Sequence, residues 1–215
     1  MSVPVETKRL TIVTHPLVQH KLSYLREKTT PTEHFRKLTE EITLLLTYEA
    51  TKDFPTEDYE METPLERMVA QRISGKKVAV CPVLRAGVGM LDGVLSLVSS
   101  ARVGFIGMYR DEETLQPVRY YSKLPLDLNE RDAIVLDPML ATGHSSSAAV
   151  DEVKEAGAQS VTLVCIVAAP EGIERVHAEY PEVHIVCAAI DRGLNEHGFI
   201  VPGLGDAGDR LYGTK

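Results

Sequence analysis

Five short runs rich in β-branched residues constrain the fold of this chain more than any other feature. The runs are Val78–Val83, Arg102–Tyr109, Ala133–Leu136, Val161–Ala168 and His184–Ala189. They are apolar throughout rather than alternating, which is typical of strands buried on both faces of a parallel sheet. Helices are predicted between them, from Ser145 to Ala156 with a stop at Gly157, and from Glu171 to Glu179. We therefore expect an α/β fold with a doubly wound, mainly parallel sheet flanked by helices.

The first third of the chain has a helical pattern instead. A short helix is predicted from Pro16 to Lys28, and Thr30-Pro31-Thr32-Glu33 matches a capping box with proline at the first helical position, ahead of an apolar-rich stretch that continues to Tyr48. Residues 1–72 are expected to be mainly helical. No linker divides the chain, so we expect one domain over residues 1–215, with a separate C-terminal loop region at 191–215.

Charge and hydropathy exclude several classes of protein. The chain has 23 basic and 31 acidic side chains, a formal net charge of −8. This charge disfavours nucleic-acid binding, which needs a basic face. The longest apolar runs are too short to cross a bilayer, and Met1–Arg9 lacks the apolar segment of a secretory signal peptide. We expect a cytoplasmic protein with no nucleic-acid or membrane partner.

The residues that commonly bind metals form no metal-binding pattern. Cys81, Cys165 and Cys187 each lie inside an apolar run, which favours a role as small core residues over a disulfide or a metal site. The seven histidines show no H-E-x-x-H spacing. We expect no metal site formed by the protein alone.

The segment with the strongest chemical pattern, residues 133–145, joins a buried strand to a helix. Asp137 ends the strand, and a turn of small residues follows. Backbone amides from Ala141 to Ser145, with the hydroxyls of Thr142 and Ser145, can converge at the positive end of the helix and hold a phosphate, while Asp137 can accept hydrogen bonds from sugar hydroxyls. A plain strand-to-helix turn with Ser145 as N-cap fits the same residues, and the local pattern leaves both open.

A second glycine-rich segment only approximates a dinucleotide-binding fingerprint. In Gly87-Val88-Gly89-Met90-Leu91-Asp92-Gly93 the spacing is one residue too long, because Asp92 stands where G-x-G-x-x-G needs its third glycine. No Gly-Lys-Ser/Thr triplet of a Walker A loop follows any glycine-rich stretch. Neither kind of nucleotide site is predicted.

The segment Asp137-Pro138-Met139-Leu140-Ala141-Thr142-Gly143 resembles the phosphoribosyl-diphosphate signature of type I phosphoribosyltransferases, in the form of the uracil phosphoribosyltransferase family. Further segments match the same family, and they extend the resemblance over nearly the whole chain: Pro82–Gly87, Gly89–Gly93, Gly193–Arg210, Gly107–Arg110, His15–Val18 and Leu46–Ala50. The resemblance implies transfer of phosphoribose from its 1-diphosphate to N1 of uracil, giving UMP and diphosphate in pyrimidine salvage.

The resemblance also implies the residues of the site. Contacts with phosphoribosyl diphosphate are expected from Arg85, Arg110, Asp137, Pro138, Met139, Leu140, Ala141, Thr142, Gly143, His144, Ser145 and Asp206. Contacts with uracil are expected from Ile200, Gly205, Asp206 and Ala207, mainly through backbone groups. The expected catalytic residues are Arg85, at the leaving diphosphate, and Asp206, a candidate base for the N1 proton. The implied cofactor is Mg²⁺, held mainly by the diphosphate.

Two positions need particular attention. His144 stands where relatives commonly have a second glycine, so a left-handed backbone there would be strained. The tail from Ile200 to Gly213 has too many glycines and prolines for a helix or a strand, and it is expected to be the base-binding loop, with a loose coil as the alternative.

By resemblance the protein is a homodimer or a larger homo-oligomer, with Asp111–Lys123 as an arm near the active site. GTP or a pyrimidine nucleotide is implied as an effector, for which the sequence shows no site. Two other functions stay open at this point: a related transferase for another base, and a pyrimidine-responsive RNA-binding regulator on the same fold, which the net charge disfavours.

Overall fold

The structure is a computed structural model, and it describes residues 9–75, 78–110 and 117–214. The helices are α1 (Pro16–Arg26), α2 (Thr32–Ala50), α3 (Val88–Leu97), α4 (His144–Glu155), α5 (Pro170–Glu179) and α6 (Ala207–Tyr212). The strands are β1 (Leu10–Ile12), β2 (Thr56–Glu62), β3 (Arg67–Ile73), β4 (Ala79–Leu84), β5 (Arg102–Val103), β6 (Phe105–Arg110), β7 (Pro117–Lys123), β8 (Asp132–Leu136), β9 (Met139–Leu140), β10 (Ser160–Ala168), β11 (His184–Ile190), β12 (Gly193–Leu194) and β13 (Ile200–Val201).

A nine-stranded sheet forms the centre of the described molecule, with the order β1-β11-β10-β8-β4-β6-β7, and with β5 paired to β4 and β9 paired to β10. Neighbouring strands are parallel except β6 and β7, which are antiparallel. Two small antiparallel pairs, β2–β3 and β12–β13, lie outside this sheet. The predicted doubly wound, mainly parallel fold is confirmed.

Helices cover both faces of the sheet, so successive residues of the central strands enter different cores. In β8, Ile134 and Leu136 pack in a core with α1, α2, α3 and α6, while Ala133 and Val135 pack in a second core with α4 and α5. This two-sided burial explains why the strands are apolar throughout. The three cysteines are free and buried in the second core, as predicted for small apolar residues.

The prediction for residues 1–72 is only partly correct. Helices α1 and α2 form, but β1 pairs with β11, and residues 56–73 form the β2–β3 hairpin. The burial of β2 alternates at every second residue, which is the period of a strand with one covered face. The strand period of β2 was missed because polar and charged residues carry it and because the segment before it is helical.

The predicted capping box at Thr30 is wrong. Helix α2 begins at Thr32, its N-cap is Pro31, and no side chain caps it. The Thr30 hydroxyl instead donates to the carbonyl oxygen of Tyr24 at 2.5 Å, which closes the connection between α1 and α2. The Thr30 hydroxyl therefore bonds to a residue of α1 and does not cap α2.

None of the helices in the described ranges combines the length and the apolar character that crossing a bilayer requires.

We predict that Gly93→Ala destabilises the fold, because α2 and α3 touch at this glycine. A Cβ at Gly93 would lie 2.4 Å from the carbonyl oxygen of Glu40, which belongs to the α2 backbone and cannot rotate away. We expect a loss of about 1–3 kcal/mol in the free energy of unfolding, measured by urea denaturation. Ser96→Ala, at an exposed position of α3, is the control and should change the stability by less than about 0.5 kcal/mol. Equal stabilities for the two variants would contradict the close helix contact.

Candidate active site

A cleft of about 260 Å³ opens where β8 ends. Its lining residues are Ala86, Asp137, Pro138, Met139, Ala141, Gly198, Phe199, Ile200, Gly205, Asp206, Ala207 and Gly208. This edge of a parallel sheet, beyond the carboxyl ends of the strands, is the usual location of ligand sites in open α/β folds. The cleft joins the predicted sugar and phosphate segment to the predicted base-binding segment, which are distant in the sequence.

Asp137 is the first residue after β8, and both of its carboxylate oxygens have a donor. The amide of Met139 donates to Oδ1 at 3.3 Å, and the hydroxyl of Ser146 donates to Oδ2 at 2.9 Å. Burial raises the pKa of Asp137 to about 6, while these two hydrogen bonds act in the opposite direction. The carboxylate is thus fixed between the strand end and the first turn of α4.

The start of α4 is an open array of backbone donors. Its N-cap is Gly143, with φ at 81° and no side chain to cap the helix. The amides of His144, Ser145 and Ser146 are in the first turn, where a helix provides no acceptor, so they are available to an anion. The alternative with Ser145 as N-cap is wrong by two residues, because the turn needs a left-handed residue and Gly143 supplies it.

His144 therefore carries no backbone strain. The left-handed position is Gly143, where a Cβ would also lie 2.9 Å from the carbonyl oxygen of Gly172. His144 is the first helical residue, and its Nδ1 lies 3.0 Å from the hydroxyl oxygen of Thr142. Arg175 supports the same turn from α5, because its Nε donates to the carbonyl oxygen of Thr142 at 3.1 Å.

Arg85 is the first residue after β4, on the same edge of the sheet. Its peptide bond with Leu84 is cis, and its carbonyl oxygen accepts a hydrogen bond from the Tyr212 hydroxyl at 2.9 Å. The side chain is exposed. A Cβ built at Gly208 would lie 3.9 Å from Arg85 Nη2 and 3.3 Å from Asp206 Oδ1, so the guanidinium and the carboxylate flank this glycine at the mouth of the cleft.

The C-terminal segment is ordered, and the prediction that it contains no helix or strand is wrong. Residues Ile200 and Val201 pair with Leu194 and Gly193, and α6 begins at Ala207. Asp206 caps α6, because its Oδ1 accepts from the amide of Asp209 at 2.9 Å. Pro202, Gly203 and Gly205 lie in the turn between β13 and α6, and the peptide before Pro202 is cis. Gly208 lies in the first turn of α6, and Gly213 is the C-cap of this helix.

The glycines of the segment 87–93 serve packing. A Cβ at Gly87 would lie 2.4 Å from the carbonyl oxygen of Leu136, and a Cβ at Gly89 would lie 2.7 Å from the side chain of Leu211. The first contact brings α3 close to β8, and the second brings it close to α6. Close packing accounts for both glycines, and the absence of a dinucleotide site at this segment stays a prediction.

Some of the other predicted site residues line the cleft and some do not. Pro138, Met139, Ala141, Ile200, Gly205, Asp206 and Ala207 line it with Asp137. Leu140 has its side chain fully buried in the core, so that side chain does not face the cleft. Thr142 and His144 line a separate groove against α5 and are not among the residues that line the cleft. The side chain of Arg110 and residues 111–116 of the predicted arm lie outside the described part of the chain.

The sequence did not identify several residues of this site. Gly198, Phe199 and Gly208 line the cleft beside predicted neighbours, and their proximity in sequence was the available signal. The Ser146 hydroxyl donates to Asp137, a contact that depends on where α4 begins. Among the described residues, no three His, Cys, Asp or Glu side chains are grouped to hold a metal ion.

Comparison with known proteins gives one consistent family. The family model described as uracil phosphoribosyltransferase matches residues 12–214. The chain is 57% identical over 208 residues to the uracil phosphoribosyltransferase of Thermoanaerobacter sp. strain X514, covering 97% of this chain and 99% of that protein. It is 56% identical over 207 residues to the uracil phosphoribosyltransferase of Streptococcus pneumoniae strain ATCC BAA-255 / R6, covering 96% and 99%.

Solved structures agree on the fold. The AQ2163 protein of Aquifex aeolicus superposes with a TM-score of 0.91 at 39% identity, covering 96% of this chain and 99% of that chain. A hypoxanthine-guanine phosphoribosyltransferase of Bacillus anthracis superposes with a TM-score of 0.51 at 12% identity, covering 74% and 80%, which is a likeness of fold alone. From its fold, its cleft and these matches, the chain belongs to the uracil phosphoribosyltransferase family.

Proposed function

We propose that this protein transfers the 5-phosphoribosyl group of phosphoribosyl diphosphate to N1 of uracil, forming UMP and diphosphate in pyrimidine salvage. The observation that carries the proposal is that one cleft joins Asp137 and Ala141, which lead into the open first turn of α4, with the backbone turn at 198–208. The first part suits a ribose phosphate and the second suits a planar base. The names of the relatives support the same reaction.

In this proposal the ribose phosphate binds at the strand-to-helix turn. The 5′-phosphate accepts hydrogen bonds from the first-turn amides of α4 and from the hydroxyls of Thr142 and Ser145, at the positive end of the helix. Asp137 accepts hydrogen bonds from the ribose hydroxyls, with Ser146 holding it in position. Pro138, Met139 and Ala141 form the wall beneath the sugar, and the imidazole of His144 lies beside the phosphate.

The base binds against the C-terminal turn. Uracil presents an acceptor, a donor and an acceptor along O4, N3–H and O2, which two amides and one carbonyl can match. Ile200, Gly205 and Ala207 line the cleft, and we assign their backbone groups to this edge. Cytosine reverses two of these groups, which would cost about 1–3 kcal/mol for each buried group left unpaired.

The leaving diphosphate lies toward Arg85, which is exposed at the mouth of the cleft and suited to bind phosphate oxygens in two-pronged fashion. We assign Arg110 to the same group. The cleft presents two carboxylates, Asp137 and Asp206, and such a donor set fits Mg²⁺, which takes one or two carboxylates and completes its coordination with phosphates and water. When bound, Mg²⁺ neutralises the negative charge that grows on the diphosphate.

The reaction breaks the bond between C1 of the ribose and the diphosphate oxygen, and it forms the bond between C1 and N1 of uracil. Positive charge develops on the ribose ring while negative charge grows on the diphosphate, so positioning and electrostatic stabilisation carry most of the catalysis. The N1 proton must leave. Asp206 is the candidate acceptor, because its Oδ1 is held by the amide of Asp209 while the side chain as a whole is exposed at the cleft.

We also propose a homodimer or larger homo-oligomer, with the segment Asp111–Lys123 as the arm near the active site. Apolar side chains on the β2–β3 hairpin, including Leu65 at 95% and Val69 at 59% exposure, support an assembly that covers them. Regulation by GTP or a pyrimidine nucleotide stays a prediction from the resemblance, as does the cytoplasmic location.

We predict UMP from uracil, phosphoribosyl diphosphate and Mg²⁺, and no nucleotide from cytosine, orotate, hypoxanthine or adenine. Removing the metal with EDTA should abolish the product, and added Mg²⁺ should restore it. Chromatographic detection of the nucleotides decides the outcome. A nucleotide from another base but none from uracil would contradict the assignment of the C-terminal turn to uracil.

Asp206→Asn tests the proton acceptor without removing the helix cap, since asparagine is as good an N-cap as aspartate. We expect kcat to fall about 100-fold, in the range of general-base effects, with KM for both substrates changed by less than about threefold. Thermal denaturation should show an unaltered Tm. An unchanged kcat would exclude Asp206 as the base.

Asp137 gives the enzyme a pH dependence. Its ionised form accepts hydrogen bonds from the ribose, so KM for phosphoribosyl diphosphate should rise about tenfold between pH 7 and pH 5 as the group protonates around a pKa of about 6. Asp137→Asn removes this titration, and the ratio of variant to wild-type KM at each pH cancels ionisation of the substrate. A ratio that does not vary with pH would contradict the assignment.

Ionisation of Asp137 favours substrate binding but lowers the stability of the folded protein. Because the folded-state pKa is raised, the contribution of Asp137 to stability is full below the unfolded pKa of 3.8 and is lost as the pH rises through about 6. The Tm of Asp137→Asn relative to the wild type should therefore be higher at pH 8 than at pH 5.

A further inference from the structure

A buried ion pair lies behind the base end of the cleft. Arg26 is the last residue of α1, and Asp191 is the first residue after β11. Arg26 Nη1 donates to Asp191 Oδ2 at 2.8 Å, and Nη2 donates to Oδ1 at 2.7 Å, which makes a two-pronged pair. The side chain of Asp191 is 6% exposed and that of Arg26 is 22% exposed. Neither residue lines the cleft.

The pair holds Gly203 by both of its backbone polar groups. The Gly203 amide donates to Asp191 Oδ2 at 2.8 Å, and the Gly203 carbonyl oxygen accepts from Arg26 Nη1 at 2.6 Å. Gly203 has φ at 64°, and a Cβ there would lie 2.1 Å from the carbonyl oxygen of Ile200. Gly203 is thus the tight inner point of the turn that connects Ile200 to Gly205.

Arg210 secures the next residue of the same turn. Its Nη1 donates to the carbonyl oxygens of Leu204 at 2.8 Å and Leu25 at 2.7 Å, and its Nη2 donates to that of Glu27 at 2.6 Å. The guanidinium lies 4.3 Å from the centroid of the Phe35 ring. Two guanidinium groups therefore tie residues 203–204, which do not line the cleft, to the end of α1.

We infer that Arg26 and Asp191 are positioning residues for the base: they fix the turn so that the backbone groups of Ile200 and Gly205 meet the edge of uracil. The inference rests on the proposed function. Hydrogen-bond recognition of a planar edge requires placement within about 0.5 Å, and a backbone turn made of glycines cannot supply that rigidity itself. The ion pair supplies it from two elements of the core.

The chemistry of the pair explains why a neutral amide cannot replace the carboxylate. Asp191 accepts three hydrogen bonds, two from Arg26 and one from Gly203, and donates none. In Asp191→Asn an NH₂ group would face one of these donors, and Arg26 would lose its buried counter-charge. The turn must then move to separate the opposed donors, while the strand-to-helix turn at Asp137 is on a different part of the chain and keeps its own contacts.

The test compares Asp191→Asn and Arg26→Lys with Asp127→Asn. Asp127 is the matched control, because it forms a two-pronged pair with the buried Arg131, at 3.0 Å to Nε and 2.8 Å to Nη2, beside the beginning of β8 and so at the opposite edge of the sheet. For each enzyme we would measure KM for uracil and for phosphoribosyl diphosphate, Kd for UMP and for ribose 5-phosphate by calorimetry, and hydrogen exchange of the amides in residues 198–208.

For Asp191→Asn we expect KM for uracil to rise about tenfold or more while KM for phosphoribosyl diphosphate changes by less than about threefold. The Kd for UMP should rise relative to that for ribose 5-phosphate, and exchange at 198–208 should accelerate. Arg26→Lys, which keeps the charge but loses the fork, should show the same changes to a smaller degree. Asp127→Asn should lower Tm without altering the ratio of the two KM values.

Three results would overturn the inference, and they are distinguishable. A wild-type enzyme that makes UMP, together with an Asp191→Asn variant whose KM for uracil and loop exchange are unchanged, would refute the positioning role and leave the proposed function standing. Equal shifts of both KM values in Asp191→Asn and Asp127→Asn would reduce the pair to a general stability element. A wild-type enzyme that makes no UMP and binds UMP no more tightly than ribose 5-phosphate would refute the proposed function and the inference with it.

Discussion

Burial of the central strands on both faces is the constraint on which the cleft depends. Strands β4, β8, β10 and β11 contribute alternate residues to two cores, so their interiors hold almost no polar side chains. Charged side chains can therefore be placed only beyond the ends of these strands. Arg85, Asp137 and Asp191 are each the first residue after their strand. Because these strands are parallel, the three residues share one edge of the sheet.

Beyond that edge, the cleft is built mostly from backbone. The amides in the first turn of α4 are left open because Gly143 caps the helix without a side chain, and the C-terminal turn is formed by Gly203 and Gly205, which have positive φ. Glycine-rich backbone is flexible unless side chains elsewhere in the protein hydrogen-bond to it. Ser146 and Arg175 secure the first turn, while Arg26, Asp191 and Arg210 secure the second. The proposed function divides in the same way, with the ribose phosphate at one turn and the base at the other.

The local sequence pattern predicted the central strands and the helices that follow them. The apolar runs, the helices between them and the stop at Gly157 follow from periodicity and glycine placement, and the structure has their ends within two residues. The exception is the run Arg102–Tyr109, which is divided at Gly104 into β5 and β6. The start of α4 was misplaced because a serine is a common N-cap, whereas tight packing of the turn on Gly172 selects Gly143. The β2–β3 hairpin was missed because its strand pattern is carried by charged residues.

The residues that hold the C-terminal turn in place could not be predicted from the local sequence pattern. Arg26 and Asp191 are 165 residues apart, and Arg210 and Leu25 are 185 residues apart, so no spacing connects them. Their pairing becomes visible only when α1 packs beside the end of β11. By contrast, Asp137, Ile200, Gly205 and Ala207 were identified because each belongs to a contiguous segment that resembles the family.

The most direct test of this account is a crystal structure of the protein with UMP bound. We expect the 5′-phosphate at the amides of His144 to Ser146, the ribose hydroxyls on Asp137, and the uracil edge within hydrogen-bond distance of the backbone of Ile200, Gly205 and Ala207. The Arg26–Asp191 pair and Gly203 should keep the contacts described above. A nucleotide bound away from the start of α4, or a base that turns its O4–N3–O2 edge away from the C-terminal turn, would contradict the account.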